Sequence, residues 1–137
     1  MAIVLSLFVF LLILLPVRSV SANELEINER NIIVAQTSWY GPGFHGKKTA
    51  SGKRFSQNNP TMFAHQFLPL GSVIKVTNLE NGSVIYGSVV DRGPFRKKDD
   101  GVVLDVSKAA ARKLGFVGEG ITSVEIHLLS IPGIPLD

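Results

Sequence analysis

The residues best suited to acid–base chemistry are Asp91 and His65. Asp91 closes an apolar run and is followed by Arg92 and a Gly-Pro turn. A carboxylate at the open end of a strand can exchange a proton with a substrate, whereas an ion pair with Arg92 would keep it charged and spoil it as an acid. The residues alone favour the ion pair.

His65 lies in an apolar stretch that includes Phe63 and Phe67. An imidazole there needs a hydrogen-bonding role, which is either structural or part of a site, and both interpretations stay open. The other histidines, His45 and His127, have neither metal-ligand spacing nor a cysteine partner, so no metal site is expected.

Two further features have simple structural interpretations. Asp105 precedes a helix that Ser107 can cap, where the helix dipole stabilises a negative charge. The run 41–46 matches G-x-G-x-x-G, but the residues after it have no helical period, and no acidic residue follows near 20 positions on. The sequence therefore favours a structural carboxylate and a flexible glycine loop, and disfavours a dinucleotide site.

Aromatic residues gather in the first half of the chain, and basic residues form three short clusters. Aromatic rings stack on the apolar faces of sugars, although most rings in a small domain belong to the core. The basic pairs at 47–48 and 53–54 and the triplet at 96–98 either bind anionic polymers or lie in solvated loops. A formal charge of +3 over 137 residues does not indicate a nucleic-acid partner.

The elements that must position these residues are short strands. Alternating apolar residues and turn signals predict strands over 32–40, 72–79, 83–90, 102–106 and 122–129. Asn81-Gly82 predicts a type I′ hairpin turn between the second and third of these. A single helix is expected over about 107–114, begun by Ser107 and ended by Gly115. Five or six strands and one helix indicate an all-β protein, a small barrel.

The ends of the chain predict export and a single domain. Residues 1–22 combine an apolar run with a small-residue cleavage site and are interpreted as a signal peptide. A flexible arm is expected over 23–31, the barrel over 32–130 and a short tail over 131–137. The chain has no cysteine, so neither a disulfide scaffold nor attachment of a lipid through a cysteine is expected.

Six blocks, in order, resemble the rare-lipoprotein-A family and together span about residues 37–129. They are Thr37-Ser38-Trp39-Tyr40-Gly41, Gly46-Lys47-Lys48-Thr49-Ala50-Ser51-Gly52, Ala64-His65-Gln66-Phe67-Leu68-Pro69-Leu70-Gly71, Val76-Thr77-Asn78-Leu79-Glu80-Asn81-Gly82, Val90-Asp91-Arg92-Gly93-Pro94-Phe95 and Leu104-Asp105-Val106-Ser107-Lys108-Ala109-Ala110-Ala111.

The resemblance implies a six-stranded double-psi β-barrel and a lytic transglycosylase that cuts peptidoglycan strands, preferring those without stem peptides, to 1,6-anhydromuramoyl ends. It implies no metal or cofactor and a protein of the periplasm or cell wall. A monomer is expected, and the apolar run 3–16 is too short to span a membrane as a helix. Asp91 would be the acid and His65 its assistant. The residues expected to line the glycan groove are Trp39, Tyr40, Thr49, Ser51, Arg92 and Phe95.

One departure from the family pattern bears on the chemistry. Acidic residues often follow the Thr-Ala-Ser-Gly block, but this chain has Lys53 and Ser56 there, and no Asp or Glu occurs between Glu29 and Glu80. A non-catalytic glycan-binding module, similar to the barrel domain of expansins, is therefore the alternative expectation. A secreted interaction protein unrelated to glycan is a third.

Overall fold

A computed structural model describes residues 31–96, 99–134 and 136. The predicted signal peptide and the arm up to residue 30 lie outside the described residues. The elements in chain order are β1 (Ile32–Tyr40), a 3-10 turn (Pro42–Phe44), β2 (Met62–His65), β3 (Val73–Asn78), β4 (Val84–Asp91), β5 (Val102–Ser107), α1 (Lys108–Leu114) and β6 (Ile121–Ser130).

The strands close into one barrel in the order β1-β5-β2-β4-β3-β6. Two neighbouring pairs, β1 with β5 and β2 with β4, run parallel, and the other four run antiparallel. The expected all-β barrel with one helix is confirmed. Each of the six described strands has a neighbour on both sides, so the barrel is a rigid frame for side chains at its strand ends.

Alternation along the strands determines which residues fill the barrel. Ile74 and Val76 of β3 point inward, as do Val124, Ile126 and Leu128 of β6, and all five are 2% exposed or less. Each buried side chain of this size contributes roughly 1.5–3 kcal/mol by leaving water. These residues join the main core, against which α1 packs through its own buried face.

The helix begins and ends where its sequence predicts. Ser107 Oγ accepts a hydrogen bond from Ala110 N at 3.1 Å, and Gly115 takes the left-handed conformation with φ 77°. The Nδ2 groups of Asn78 and Asn81 also donate to the carbonyl of Leu114, at 2.8 and 2.9 Å. The β3–β4 loop thus ties the end of α1 to the sheet and satisfies a carbonyl that the helix leaves free.

The hydrogen bond from Asn81 to Leu114 explains why the predicted turn type was wrong. The hairpin of β3 and β4 is present, but residues 79–83 connect the strands, and only Gly82 has positive φ, at 76°. A type I′ turn requires positive φ at both central residues. Asn81 instead directs its amide to α1 and accepts Ser83 N at 2.9 Å.

None of the helices in the described part of the chain is long and apolar enough to cross a membrane.

Candidate active site

Four side chains form a row across four adjacent strands at one end of the barrel. Ser38 of β1 pairs in register with Asp105 of β5, Asp105 pairs with Ala64 of β2, and Ala64 pairs with Asp91 of β4. Residues in register on neighbouring strands share a face of the sheet. The small Ala64 therefore separates two carboxylates that face the same side.

Irregular pairing places both aspartates in this row. The register between β2 and β4 shifts from Phe63↔Val89 to Ala64↔Asp91, which leaves Val90 as an extra residue on β4. A similar shift between Gln36 and Thr37 leaves Val103 as the extra residue on β5. Such bulges re-aim the side chains that follow them and are frequent beside active sites.

The row opens into a groove of about 1070 Å³ that is lined by Ser38, Ala64, Asp91 and Asp105. Its walls come from the segment 39–49 with Phe55, from residues 92–96 and from the loop 119–121 before β6. Ligand clefts of small molecules span roughly 300–1,000 Å³, so this groove has room for an oligosaccharide.

Asp105 has the pKa expected of a proton donor. Burial of its carboxylate raises the pKa to about 7, with the hydrogen bond from Ser38 and the charge of Arg96 opposing the rise and the charge of Asp91 adding to it. Ser38 Oγ donates to Oδ1 at 3.1 Å, and Oδ2 accepts no hydrogen bond within the described residues. A carboxylic acid with a pKa near 7 is still protonated in a large fraction of molecules at neutral pH.

Asp91 is held by the backbone. Its Oδ1 accepts from Ala50 N and Arg92 N, both at 2.9 Å, and Oδ2 has no hydrogen-bond donor in the described ranges. The loop that supplies Ala50 is itself fixed to β4, because Ser51 N donates to the carbonyl of Val90 at 3.0 Å. Asp91 therefore presents one oriented carboxylate oxygen to the groove.

His65 is fully buried and does not line the groove. Its Nδ1 accepts from Phe67 N and Leu68 N, both at 3.1 Å, so the remaining proton of a neutral ring is on Nε2. Burial, with the charge of Arg92 adding to it, lowers the pKa of His65 to about 4. The neutral imidazole shapes the turn after β2, beside the strand position that carries Ala64.

Arg92 binds that same turn. Its Nη1 donates to the carbonyls of Leu68 and His65, at 2.6 and 3.3 Å. The expected Asp91–Arg92 ion pair is absent from the described residues, whose one ion pair joins Arg96 to Asp100 at 2.8 Å. The expectation of an Asp91–Arg92 ion pair was wrong, because the Arg92 guanidinium binds the backbone carbonyls of residues 65 and 68 instead.

The aromatic residues divide into buried and exposed rings. Tyr40 is 7% exposed and stacks on Phe55 with ring centres 3.9 Å apart. Trp39 is partly buried against the core, and its Nε1 donates to the carbonyl of Val117 at 3.2 Å. Phe44 and Phe95 are 54% and 86% exposed on the groove walls, so they are the rings most available to stack on a sugar.

The two hydroxyl residues of the predicted groove lining lie at different depths. Thr49 is buried beside the groove, and its Oγ1 donates to the carbonyl of Lys53 at 2.7 Å and contacts Ser51 Oγ at 2.9 Å. Ser51 is exposed and is not among the lining residues. Both shape the loop that holds Asp91.

Of the predicted site residues, the groove brings together Trp39, Tyr40, Thr49, Asp91, Arg92 and Phe95, and it leaves out His65 and Ser51. The sequence interpretation gave Asp105 only a structural role. The signal that could have found it is alternation, because Leu104 and Val106 point into the core and a charged residue between them must face the other side. The described residues contain no cluster of three His, Asp or Glu side chains that could hold a metal ion.

Fold and groove together define the class of protein: a double-psi β-barrel with two carboxylates at the base of an open cleft. A family model described as lytic transglycolase matches residues 32–126. The chain belongs to this family, which confirms the resemblance that its six blocks indicate.

Two curated relatives are 48% identical to the chain. One is the probable endolytic peptidoglycan transglycosylase RlpA of Synechocystis sp., matched over 92 residues that make up 67% of this chain and 27% of the relative. The other is the endolytic peptidoglycan transglycosylase RlpA of Neisseria meningitidis serogroup A, matched over 96 residues, 70% of this chain and 38% of the relative. The chain thus spans well under half the length of these relatives.

A solved structure with the same fold is an expansin of Clavibacter michiganensis, a D78N mutant in complex with cellohexaose. It superposes with a TM-score of 0.56 at 18% identity, covering 76% of this chain and 53% of the expansin. At that identity the likeness establishes the shared barrel.

Proposed function

We propose that this protein is an endolytic peptidoglycan lytic transglycosylase whose proton donor is Asp105. The observation that carries the proposal is the pair of groove-lining carboxylates on either side of Ala64, one of them with a pKa of about 7. Curated relatives at 48% identity bear the name of this activity. The pairing of a raised pKa with an open, polysaccharide-sized groove is what glycosidic bond cleavage requires.

The reaction needs one proton delivered and one removed. Asp105 donates its proton to the glycosidic oxygen, and the bond from that oxygen to C1 of the muramoyl sugar breaks. The 6-hydroxyl of the same sugar forms a new bond to C1, which closes the 1,6-anhydro ring, and its proton passes to a carboxylate. Asp91 is oriented for this last step, because two backbone N–H groups hold Oδ1 and leave Oδ2 open.

Stabilising the positive charge that develops at C1 is the second requirement. Once Asp105 has given up its proton, both aspartates flank the reacting sugar with negative charge. Burial of Asp105 makes its ionised form costly, so the carboxyl group keeps its proton to higher pH and can deliver it to a bound glycan. His65 acts at a distance, by fixing the turn that binds Arg92 next to Asp91.

The same proposal covers location and substrate. The apolar segment and small-residue cleavage site in residues 1–22 favour export to the periplasm or wall, where peptidoglycan lies. The exposed rings of Phe44 and Phe95 supply stacking surfaces for the sugars on either side of the cleaved bond.

The test is to incubate the purified protein with glycan strands freed of stem peptides and to analyse the products by mass spectrometry. We expect internal cleavage to fragments with 1,6-anhydromuramoyl ends. Asp105→Asn should reduce the rate by about 10²–10⁴, the usual contribution of a general acid. Circular dichroism and thermal melting of the variant establish that the fold is retained.

A matched control is Glu125→Gln, which removes a carboxylate of β6 that lies outside the groove and should cleave at the native rate. Full activity of Asp105→Asn would refute its role as the donor, and absence of anhydro products from the native chain would refute the enzyme proposal.

The second candidate is a glycan-binding module that does not cut. It is favoured by the lack of any acidic residue between Glu29 and Glu80 and by the fold shared with an expansin whose structure contains cellohexaose. Retention on peptidoglycan sacculi without anhydro products would establish it.

A further inference from the structure

We propose that Lys47 and Lys48 form a carboxylate subsite on the rim of the groove and that its ligand is the free lactyl carboxylate of a muramoyl residue. This inference rests on the proposed function, since it names the chemical group by which the same groove selects its substrate. Both lysines line the groove and have exposed side chains.

The two lysines lie on a loop that backbone hydrogen bonds hold in place. The hairpin-like segment around them is closed by hydrogen bonds from Gly46 N to Phe55 O at 2.7 Å and from Phe55 N to Lys47 O at 2.8 Å. A bridge pairs Lys48 with Arg54. The same loop is fastened to β4 through Ala50 N and Asp91 Oδ1, so the rim keeps its distance from the carboxylates.

The ammonium of Lys47 is further restrained, because its Nζ lies 5.7 Å from the centre of the Phe44 ring. A cation over an aromatic face is held at the surface without being neutralised. The loop therefore presents a positive charge next to an exposed ring, an arrangement suited to a ligand that has both an acid group and an apolar sugar face.

The charges around the groove show which cations are free to bind. Arg96 is paired with Asp100, and Arg92 binds two backbone carbonyls. Lys47 and Lys48 have no carboxylate partner within the described residues. The three acidic residues that line the groove lie elsewhere along the chain, at 91, 105 and 119, and none occurs between 30 and 79.

The glycan offers one anionic group that matches this rim. A muramoyl residue differs from N-acetylglucosamine by a lactyl ether whose carboxylate is free when no stem peptide is attached and is an amide when one is. A lysine that binds the free carboxylate loses its charged partner at a substituted residue. Lys47 and Lys48 would thus select strands by the state of the lactyl group.

The experiment measures affinity for three ligands in an Asp91→Asn/Asp105→Asn background, which blocks cleavage during the measurement. The ligands are stem-peptide-free strands, the same strands with their lactyl carboxylates converted to methyl amides, and chitohexaose, which has no lactyl group. We expect the unmodified strands to bind about 2- to 30-fold more tightly than the amidated ones at low salt. The preference should shrink as salt screens the exposed charges.

Adding Lys47→Gln/Lys48→Gln should abolish that preference, because the affinity for unmodified strands should fall to the affinity for amidated strands. The matched control is Arg112→Gln/Lys113→Gln, which removes the same charge from an exposed adjacent pair on α1, outside the groove, and should keep the preference. Equal affinity for native and amidated strands, or a preference that survives in the Lys47/Lys48 variant, would overturn the subsite. If the protein binds none of the three glycans, the subsite is overturned as well.

Failure of the subsite and failure of the enzyme proposal give different results. The subsite is judged by the affinity ratio of two glycans in a background that does not cleave. The enzyme proposal is judged by anhydro products from the native chain. If the protein cleaves glycan strands but binds unmodified and amidated strands equally, only the subsite proposal fails. If it prefers unmodified strands but does not cleave them, only the transglycosylase proposal fails.

Discussion

Asp91 and Asp105 are the two register partners of Ala64, one on each neighbouring strand of the barrel. Two strand spacings separate their backbones, roughly 10 Å. Their carboxylates make no hydrogen bond to each other in the described residues, and each has its own donors. The pair therefore has two environments, which is how two identical side chains acquire different roles in one site.

The hydroxyl of Ser38 lowers the pKa of Asp105, so Ser38→Ala should shift the pH profile of cleavage to higher pH. The donated hydrogen bond stabilises the ionised carboxylate and lowers its pKa against the larger effect of burial. Without it the pKa rises above about 7, and the acid stays protonated to higher pH. We expect the alkaline limb of kcat to shift upward by up to about one pH unit.

The measurement is the rate of anhydro-product formation between pH 5 and 9. Ser123→Ala is the matched control, because it removes a strand hydroxyl that is bonded to Gln36 outside the groove. An unchanged limb in Ser38→Ala, or an equal shift in Ser123→Ala, would show that the hydroxyl does not tune the donor.

Folding stability should depend on pH through Asp105 and His65 in opposite directions. Asp105 has a folded pKa of about 7 against an unfolded value of 3.8, so its folded form holds an extra proton and its contribution to stability is lost as pH rises towards 7. His65 has a folded pKa of about 4 against 6.5, so its contribution is present above pH 6.5 and is lost as pH falls towards 4. Over about pH 4 to 6.5 the two slopes oppose each other.

Asp105→Asn removes the contribution of Asp105 to the pH dependence of stability and leaves the contribution of His65. The free energy of unfolding of the variant, relative to the native chain, should increase by on the order of 1 kcal/mol per pH unit between pH 4 and 7. Urea unfolding at several pH values measures this difference, in which the contributions of other groups cancel. A difference that stays constant with pH would contradict the raised pKa of Asp105.

Most of the fold was predictable because its signals are local, although the predicted strands did not include β2. Alternation in β3 and β6, the cap at Ser107 and the stop at Gly115 each involve a few consecutive residues, and all were found as expected. The turn at Asn81-Gly82 was not, because the Asn81 amide is directed to Leu114, which lies 33 positions away in the chain. A contact at that distance leaves no trace in the dipeptide itself.

The site was only partly predictable, because it depends on strand pairing. Asp91 is recognisable in the sequence as a strand-end carboxylate. Its position near Asp105 depends on two bulges and on β2 lying between β4 and β5. The burial of His65 and the attachment of Arg92 to backbone carbonyls likewise require the turn after β2 in three dimensions. Composition indicates which groups are available, and only the closed barrel determines which of them meet.

Gly87 is the position where the barrel wall tolerates no side chain, and Gly87→Ala should destabilise the fold and disturb the site. An added Cβ would lie 2.6 Å from the Phe63 ring and 2.6 Å from the carbonyl oxygen of Thr61. The ring is fully buried and the carbonyl belongs to the backbone, so relief requires β2 to move, and β2 carries Ala64 between the two aspartates. Overpacking of this kind costs about 1–3 kcal/mol, which corresponds to a Tm lower by about 4–20 °C.

Gly118→Ala is the control, since no atom of the described residues lies within 4 Å of an added Cβ and the φ of Gly118 is not positive. It should melt close to the native chain. Thermal melting followed by circular dichroism compares the two variants, and the rate of anhydro-product formation below the melting range tests the site. Because the displaced strand lies between the carboxylates, cleavage by Gly87→Ala should fall even at temperatures where the variant is fully folded. Native stability in Gly87→Ala would contradict the close packing, and a folded variant with the native rate would show that the site tolerates a shift of β2.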